Sequence, residues 1–295
     1  MYKIYSDIAG DFFKSDLSRA EIIPMEFIID EKIYTHTLDY KEMSREEFLK
    51  LLKTSEMSTT MINQFKFEET FRKTLEEGMD ILYLAFSSGL SGQYLQAINA
   101  KEALEEEYPD RKIEIVDTKN ATWGMGIILH HAIENMDSGM SLYENAEELM
   151  KFSENISSVF IVDDLNHLKR GGRISSVEAF LGTAIKIKPI LHINKEGRLV
   201  PIDKARGVKS AYKKIVDIYF KNRDVSSNKI VIYHCDNFEG SVQLKDLFLK
   251  KDDTLQIDIE DLSPIICVHT GIGLISMSYE GVKSWQKIKK QWCLV

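Results

Sequence analysis

The sequence predicts an α/β protein of two domains, an amino-terminal half with a mainly parallel sheet and flanking helices and a carboxy-terminal α+β half with a mixed sheet. Three observations carry this. Apolar strand-like runs alternate with helical patterns through the first half, the order of a parallel sheet covered by helices. The turn Ala85-Phe86-Ser87-Ser88-Gly89-Leu90-Ser91-Gly92 lies between an apolar strand and an amphipathic helix. In the second half, residues 189–193 and 199–204 flank Lys195-Glu196-Gly197-Arg198, which reads as a hairpin and brings antiparallel pairing into the sheet.

Each element has a local reason. Residues 3–6 and 21–27 are short apolar strands. Ser44-Arg45-Glu46-Glu47 is a capping box that opens a helix. A second helix runs from about residue 67 to 77, where Gly78 stops it. Residues 80–85 form a buried strand, and Tyr94, Ile98, Ala100 and Leu104 mark the helix after it. A strand at 112–116 and helices at 121–136 and 142–154 complete this half. The second half opens with a strand at 158–162 and a basic turn, Leu168-Lys169-Arg170-Gly171-Gly172-Arg173. After the hairpin come a helix at 209–220, a strand at 230–233, a helix at 240–249 and a strand at 255–259. Residues 265–268 and 274–278 read as strands around the turn His269-Thr270-Gly271-Ile272-Gly273. The boundary gives domains 1–156 and 157–280. Residues 281–295 form a basic amphipathic tail with Trp285, Ile288 and Trp292 at helical spacing.

Composition bounds the function. The 46 acidic residues outweigh 38 basic ones for a formal charge of -8, which argues against a dedicated nucleic-acid binder. No apolar run approaches the roughly 18 residues of a membrane helix, so stable membrane insertion is not expected. Asp7 comes too early for a signal peptide, and three dispersed cysteines suit a reducing cytoplasm. The seven histidines show no metal-ligand spacing, and neither a phosphate-binding loop nor a dinucleotide fingerprint is present. No metal or nucleotide cofactor is expected.

Four polar segments fall at strand ends or turns: Ser6-Asp7, Ser58-Thr59-Thr60, Ser87 to Ser91, and Asp117-Thr118. Parallel strands place such turns on one sheet edge, where ligands bind, and helix N-termini there favour anions. Capture of a small anionic group is the chemistry this licenses. Two other readings stand beside it. Each hydroxyl could simply cap its helix. Alternatively Gly89-Leu90-Ser91-Gly92-Gln93 approaches the nucleophile elbow of a serine acyl hydrolase, with Gln93 where that turn takes a small residue.

Leu90-Ser91-Gly92-Gln93-Tyr94, Leu168-Lys169-Arg170-Gly171-Gly172-Arg173-Ile174-Ser175 and Val268-His269-Thr270-Gly271-Ile272-Gly273 resemble the three signatures of the DegV family of bacterial fatty-acid-binding proteins. The similarity runs from Lys3 to about Tyr279. The resemblance implies a two-domain DegV-like fold with one long-chain fatty acid in a tunnel between the domains. It also implies a non-catalytic carrier that presents the carboxylate to a separate ATP-dependent fatty acid kinase, whose acyl phosphate feeds phospholipid synthesis. Carried over by position, Thr60 and Ser91 bind the carboxylate, and Arg173 and His269, with Arg206, lie at the head group or kinase-facing mouth. Two departures stand out: Met61 replaces a serine, and Gln93 replaces the threonine of L-S-G-T-Y. The fold also resembles the substrate-binding unit of dihydroxyacetone kinases, which keeps a binder of another anionic ligand in view.

Overall fold

The computed structural model describes residues 1–173 and 187–283. Ile174-Ser175 of the second signature, the tail helix expected around Trp285, Ile288 and Trp292, and Cys293 lie outside the described residues. The chain forms two compact units, one of Met1–Ser153 with Ser263–Val268, the other of Glu154–Leu262 with the residues from His269 onward.

In the first unit, β1 (Tyr2–Asp7), β2 (Ala20–Ile23), β6 (Asp80–Ala85) and β7 (Ile113–Asp117) form a four-stranded sheet of order β2-β1-β6-β7. Every pair in it is parallel. The central β6 is buried from Ile81 to Ala85, which explains its unbroken apolar run. The helices of this unit include α1 (Arg45–Leu52), α2 (Gln64–Glu76), α3 (Gln93–Glu107), α4 (Thr122–Asp137) and α5 (Leu142–Ser153). Ser44 caps α1 by accepting from the Glu47 N–H at 3.2 Å, as the capping box requires. Phe67 and Phe71 of α2 pack against Tyr83 on the sheet, and Phe71 also meets Tyr5.

The single strand expected over residues 21–27 is in fact two. Pro24 has no N–H to give a ladder, and the chain changes sheet there. Beyond it, β3 (Met25–Ile29) is the middle strand of a second, antiparallel sheet with β4 (Lys32–His36) and β5 (Met57–Thr59).

The second unit holds a six-stranded sheet of order β10-β9-β8-β13-β11-β12. Its strands are β8 (Ile156–Ile161), β9 (Ile187–Ile193), β10 (Leu199–Arg206), β11 (Lys229–His234), β12 (Gln256–Asp261) and β13 (Ile275–Glu280). The β11–β12 pair is parallel and the others antiparallel, so the sheet is mixed as expected. The short α6 (Asn166–Arg170) follows β8, while α7 (Val208–Asn222) and α8 (Phe238–Leu249) follow β10 and β11. Tyr219 sets the core beneath the helices, edge-on to Phe220, Phe248 and Tyr279.

Residues 265–268 were expected as a strand and are instead helical, within α9 (Pro264–Thr270). A proline at the first helical position gives up no hydrogen bond, so Ser263-Pro264 is a good helix start despite the β-branched residues after it. Among the described residues no helix is long and apolar enough to cross a membrane, and no cluster of His, Cys, Asp or Glu is arranged to hold a metal.

Candidate functional site

Because all four strands of the first sheet are parallel, the carboxyl ends of β1, β6 and β7 share one edge. Asp7 ends β1 there and is fully buried. Its Oδ2 accepts from the Tyr83 hydroxyl at 2.7 Å and from the Phe86 N–H at 3.1 Å, while Oδ1 accepts from the Ala9 N–H at 3.1 Å. Burial pushes Asp7 up to about 6, although these donors pull the other way. Burial and the Asp7 charge together push the Tyr83 phenol well up.

This inverts the usual acid response. The folded state holds the Asp7 proton more tightly than the unfolded chain, so its contribution to stability falls as pH rises between the ordinary carboxylate range and about 6. Acidification from neutral to about pH 4 is therefore expected to raise that contribution by about 2 kcal/mol. Urea titrations across that range should show a slope that Asp7→Asn removes. Equal slopes in both proteins would place the Asp7 carboxyl in its ordinary range.

The turn after β6 is held by its own serines. The buried Ser87 donates its N–H to the Asn120 carbonyl at 3.1 Å, and its Oγ accepts from the Gly89 N–H at 3.2 Å. Ser88 donates its N–H to Asp117 at 3.1 Å, and Lys119 bridges the Ser88 hydroxyl and the Asp117 carboxylate at 2.6 and 2.5 Å. Ser91 differs. Its Oγ accepts from the Gln93 N–H at 3.2 Å, a local turn bond two residues on, and its proton has no acceptor among the described residues. Ser91 is half-buried at the start of α3, so this is a donor still available to an anion.

Gln93 explains one departure from the expected signature. Fully buried, it donates through Nε2 to the Tyr83 hydroxyl at 3.3 Å and accepts through Oε1 from the Ile62 N–H at 3.2 Å. Gln96 repeats the clasp by accepting from the Gln64 N–H at 3.2 Å. The segment bearing Thr60 and Met61 is thereby fastened to the start of α3. The Met61 sulfur lies 3.4 Å from where a Cβ on Gly92 would stand, and its side chain is half exposed. Thr60, just past β5, donates its hydroxyl to the Glu26 carboxylate at 3.2 Å, and its N–H to the Glu26 carbonyl at 3.1 Å. Thr60 and Ser91 thus share one corner, with different hydrogen-bond states. The part played by Glu26 and Gln93 has no motif in the sequence. Asp7 was signalled, with Ser6, as a polar pair closing an apolar strand, and Gln93 only as a departure from the signature.

In the second unit the two glycine-bearing turns interlock. A Cβ on Gly171 would stand 2.8 Å from the His269 Nδ1, and one on Gly271 only 2.4 Å from the His167 ring. Each turn thus gives the other a glycine to pack a histidine against. Gly271 also needs its freedom for φ +74°. Burial pushes His269 down to about 4, and the nearby Arg173 charge acts in the same direction, so its imidazole is neutral at neutral pH. Arg173 is exposed and donates to the Gly171 carbonyl. Arg206 is exposed at the end of β10, opposite Ile187 at the start of β9. The end of β8 lies on that same sheet edge, since Lys188 reaches Asp163 at 2.7 Å. Arg173, His269 and Arg206 therefore belong to one edge of the second unit's sheet.

Residues 7–281 match the family described as "Uncharacterised protein, DegV family". A DegV domain-containing protein of Clostridium perfringens is 36% identical over 285 residues, covering 95% of this chain and 97% of its own. A Thermus thermophilus structure described as "Fatty Acid Binding of a DegV family Protein" superposes with a TM-score of 0.81 at 28% identity, covering 95% of this chain and 99% of that one. The Streptococcus pneumoniae Fatty Acid Kinase (Fak) B3 protein, loaded with linoleic acid, has the same fold with a TM-score of 0.81 at 19% identity, covering 95% and 99%.

Proposed function

We propose that this chain, which belongs to the DegV family, holds one long-chain fatty acid and presents its carboxylate to a separate ATP-dependent kinase without itself catalysing a reaction. The carrying observation is the available proton of Ser91, half-buried at a helix N-terminus with the Met61 thioether against the same turn. An anion donor beside an adaptable apolar side chain suits the junction of a carboxylate and its first methylenes. The Thermus thermophilus relative, described as binding fatty acid, supports the ligand class. The Ser91 bond to the Gln93 N–H is a local turn bond and not the pairing of a nucleophile with its base, which favours a carrier over an acyl hydrolase.

Energetics favour a carrier as well. Burying roughly 14 methylenes at about 0.8 kcal/mol each yields on the order of 11 kcal/mol of gross transfer energy. A hydrogen bond to the carboxylate adds only about 1.5–3 kcal/mol. The alkyl chain sets affinity and the hydroxyls set orientation. A ligand held this way leaves through water slowly, so hand-over to a docked partner is the efficient route. The need of such a partner for ATP favours the cytoplasm.

Mass spectrometry of solvent extracts from protein purified without detergent tests the ligand. A stoichiometric fatty acid is expected; an empty extract, with no binding of added palmitate or oleate, overturns the reading. Ser91→Ala is expected to weaken fatty-acid binding by about 1–3 kcal/mol, read as a shift in Kd, with only a small drop in melting temperature from the lost bond to the Gln93 N–H.

The exposed Arg173 is the test of the kinase-facing role. Arg173→Ala should lower acyl-phosphate formation by a cognate kinase at least severalfold while lipid content and melting temperature hold. Wild-type turnover in that variant would remove Arg173 from the hand-over. His269, half-buried and packed against Gly171, is a poorer probe because its truncation opens a void.

A further inference from the structure

Of the eleven methionines only Met1, Met61 and Met150 are exposed, and of these three Met61 is the one packed on the start of a helix. Its side chain is 48% exposed, and its sulfur and methyl lie 3.4 and 4.0 Å from where a Cβ on Gly92 would stand. Gly92 opens α3 and has no side chain with which to cap it. The neighbouring Ser91 hydroxyl keeps a proton with no acceptor among the described residues. A thioether accepts too weakly to take that proton. A sulfoxide, whose oxygen carries much of the S–O bond's charge, accepts strongly.

We propose that Met61 is a peroxide-responsive modification site, whose sulfoxide oxygen accepts the Ser91 proton and adds a third fastening of the Thr60 segment to α3, beside those of Gln93 and Gln96. The step is a two-electron oxygen transfer. The sulfur lone pair attacks one oxygen of hydrogen peroxide, and the O–O bond breaks as the S–O bond forms. A proton passes from the transferred oxygen to the departing hydroxide, leaving sulfoxide and water. Sulfur is oxidised and the peroxide reduced, with no further reactant. The Ser91 hydroxyl donates first to the departing oxygen and then to the product. Met150 is the contrast. It is 51% exposed but lies in the last turn of α5, where the unpaired backbone groups are carbonyls and no donor is offered. The consequence for a ligand rests on the carrier reading: the sulfoxide occupies the donor meant for a carboxylate and makes the adjacent apolar contact polar. Methionine sulfoxide reductases reverse it.

Dilute hydrogen peroxide acting on the delipidated full chain tests this, with peptide mass spectrometry as the readout. Met61 should gain one oxygen about threefold to tenfold faster than Met150, and Ser91→Ala should bring it to the Met150 rate. Hydrogen exchange at the Ile62 amide should slow when wild type is oxidised, and should not when Ser91→Ala is. Palmitate binding should weaken about tenfold on oxidation and recover after treatment with the two epimer-specific reductases. Met61→Leu should bind palmitate equally before and after peroxide. Equal rates at Met61 and Met150, or an Ile62 amide indifferent to oxidation, overturn the assignment of Met61. If rates and exchange behave as stated but neither form binds palmitate, the carrier reading falls and the modification site stands.

Discussion

Gly126→Ala is expected to destabilise the protein by about 3 kcal/mol or more, although the same change inside an exposed helix usually stabilises by roughly 1 kcal/mol. A Cβ at this point of α4 would stand 2.1 Å from the backbone carbonyl oxygen of Asp11. Backbone cannot rotate aside as a side chain can, and this stretch is pinned on several sides. Thr122 donates its N–H to the Ala9 carbonyl at 3.0 Å, Gly10 bridges to Thr122, and the Asp11 carboxylate accepts from the Ser263 N–H at 3.0 Å. Urea unfolding measures the loss. Gly139→Ala is the control, since a Cβ there meets nothing within 4 Å and only its φ of +90° opposes the change. A midpoint for Gly126→Ala at or above wild type would show that the stretch after β1 yields freely.

Gln93→Thr, a change toward the residue that the family signature carries, is expected to cost about 2–4 kcal/mol. Threonine is too short to reach both partners of the buried amide, so the Ile62 N–H loses its acceptor and the Tyr83 hydroxyl loses a donor. The clasp between the Thr60 segment and α3 then rests on Gln96 alone. Thermal melting should show the loss, and hydrogen exchange should show the Ile62 amide opening first. If stability is unchanged, the shorter residue has found the same partners by a local shift. Restoring the signature at this position would thus weaken the protein, because its surroundings have adapted to glutamine.

The parallel character of the first sheet and the polar edge at the ends of β1, β6 and β7 were legible because they rest on local periodicity and on Ser/Gly-rich turns. The second antiparallel sheet was not. Its strands are three to five residues long, and β5 contributes only Met57, Ser58 and Thr59, too few for an alternation to register. Pro24 was the available signal for the break between β2 and β3, and Ser263-Pro264 the signal for α9. Both were outweighed by neighbouring β-branched residues. The bond from Thr60 to Glu26 spans 34 positions and the clasp from Ile62 to Gln93 spans 31, so no local pattern could announce them. The pairing of Gly171 with His269 and of Gly271 with His167 is of the same kind. Both turns were noticed, but that each supplies the other's missing Cβ is a fact of three dimensions.

The return of Ser263–Val268 to the first unit has a consequence for anyone who would divide this protein. The polypeptide leaves the unit after Ser153 and comes back for six residues, so a fragment ending at 153 lacks a piece of its own fold. Such a fragment would leave the Asp11 carboxylate without the Ser263 amide and would present raw apolar surface where Ile265 and Val268 are buried. Separate expression of the halves is therefore expected to give aggregation-prone material. Proteolytic nicking at the exposed tip between β9 and β10 should instead leave both units folded, since it cuts neither crossing.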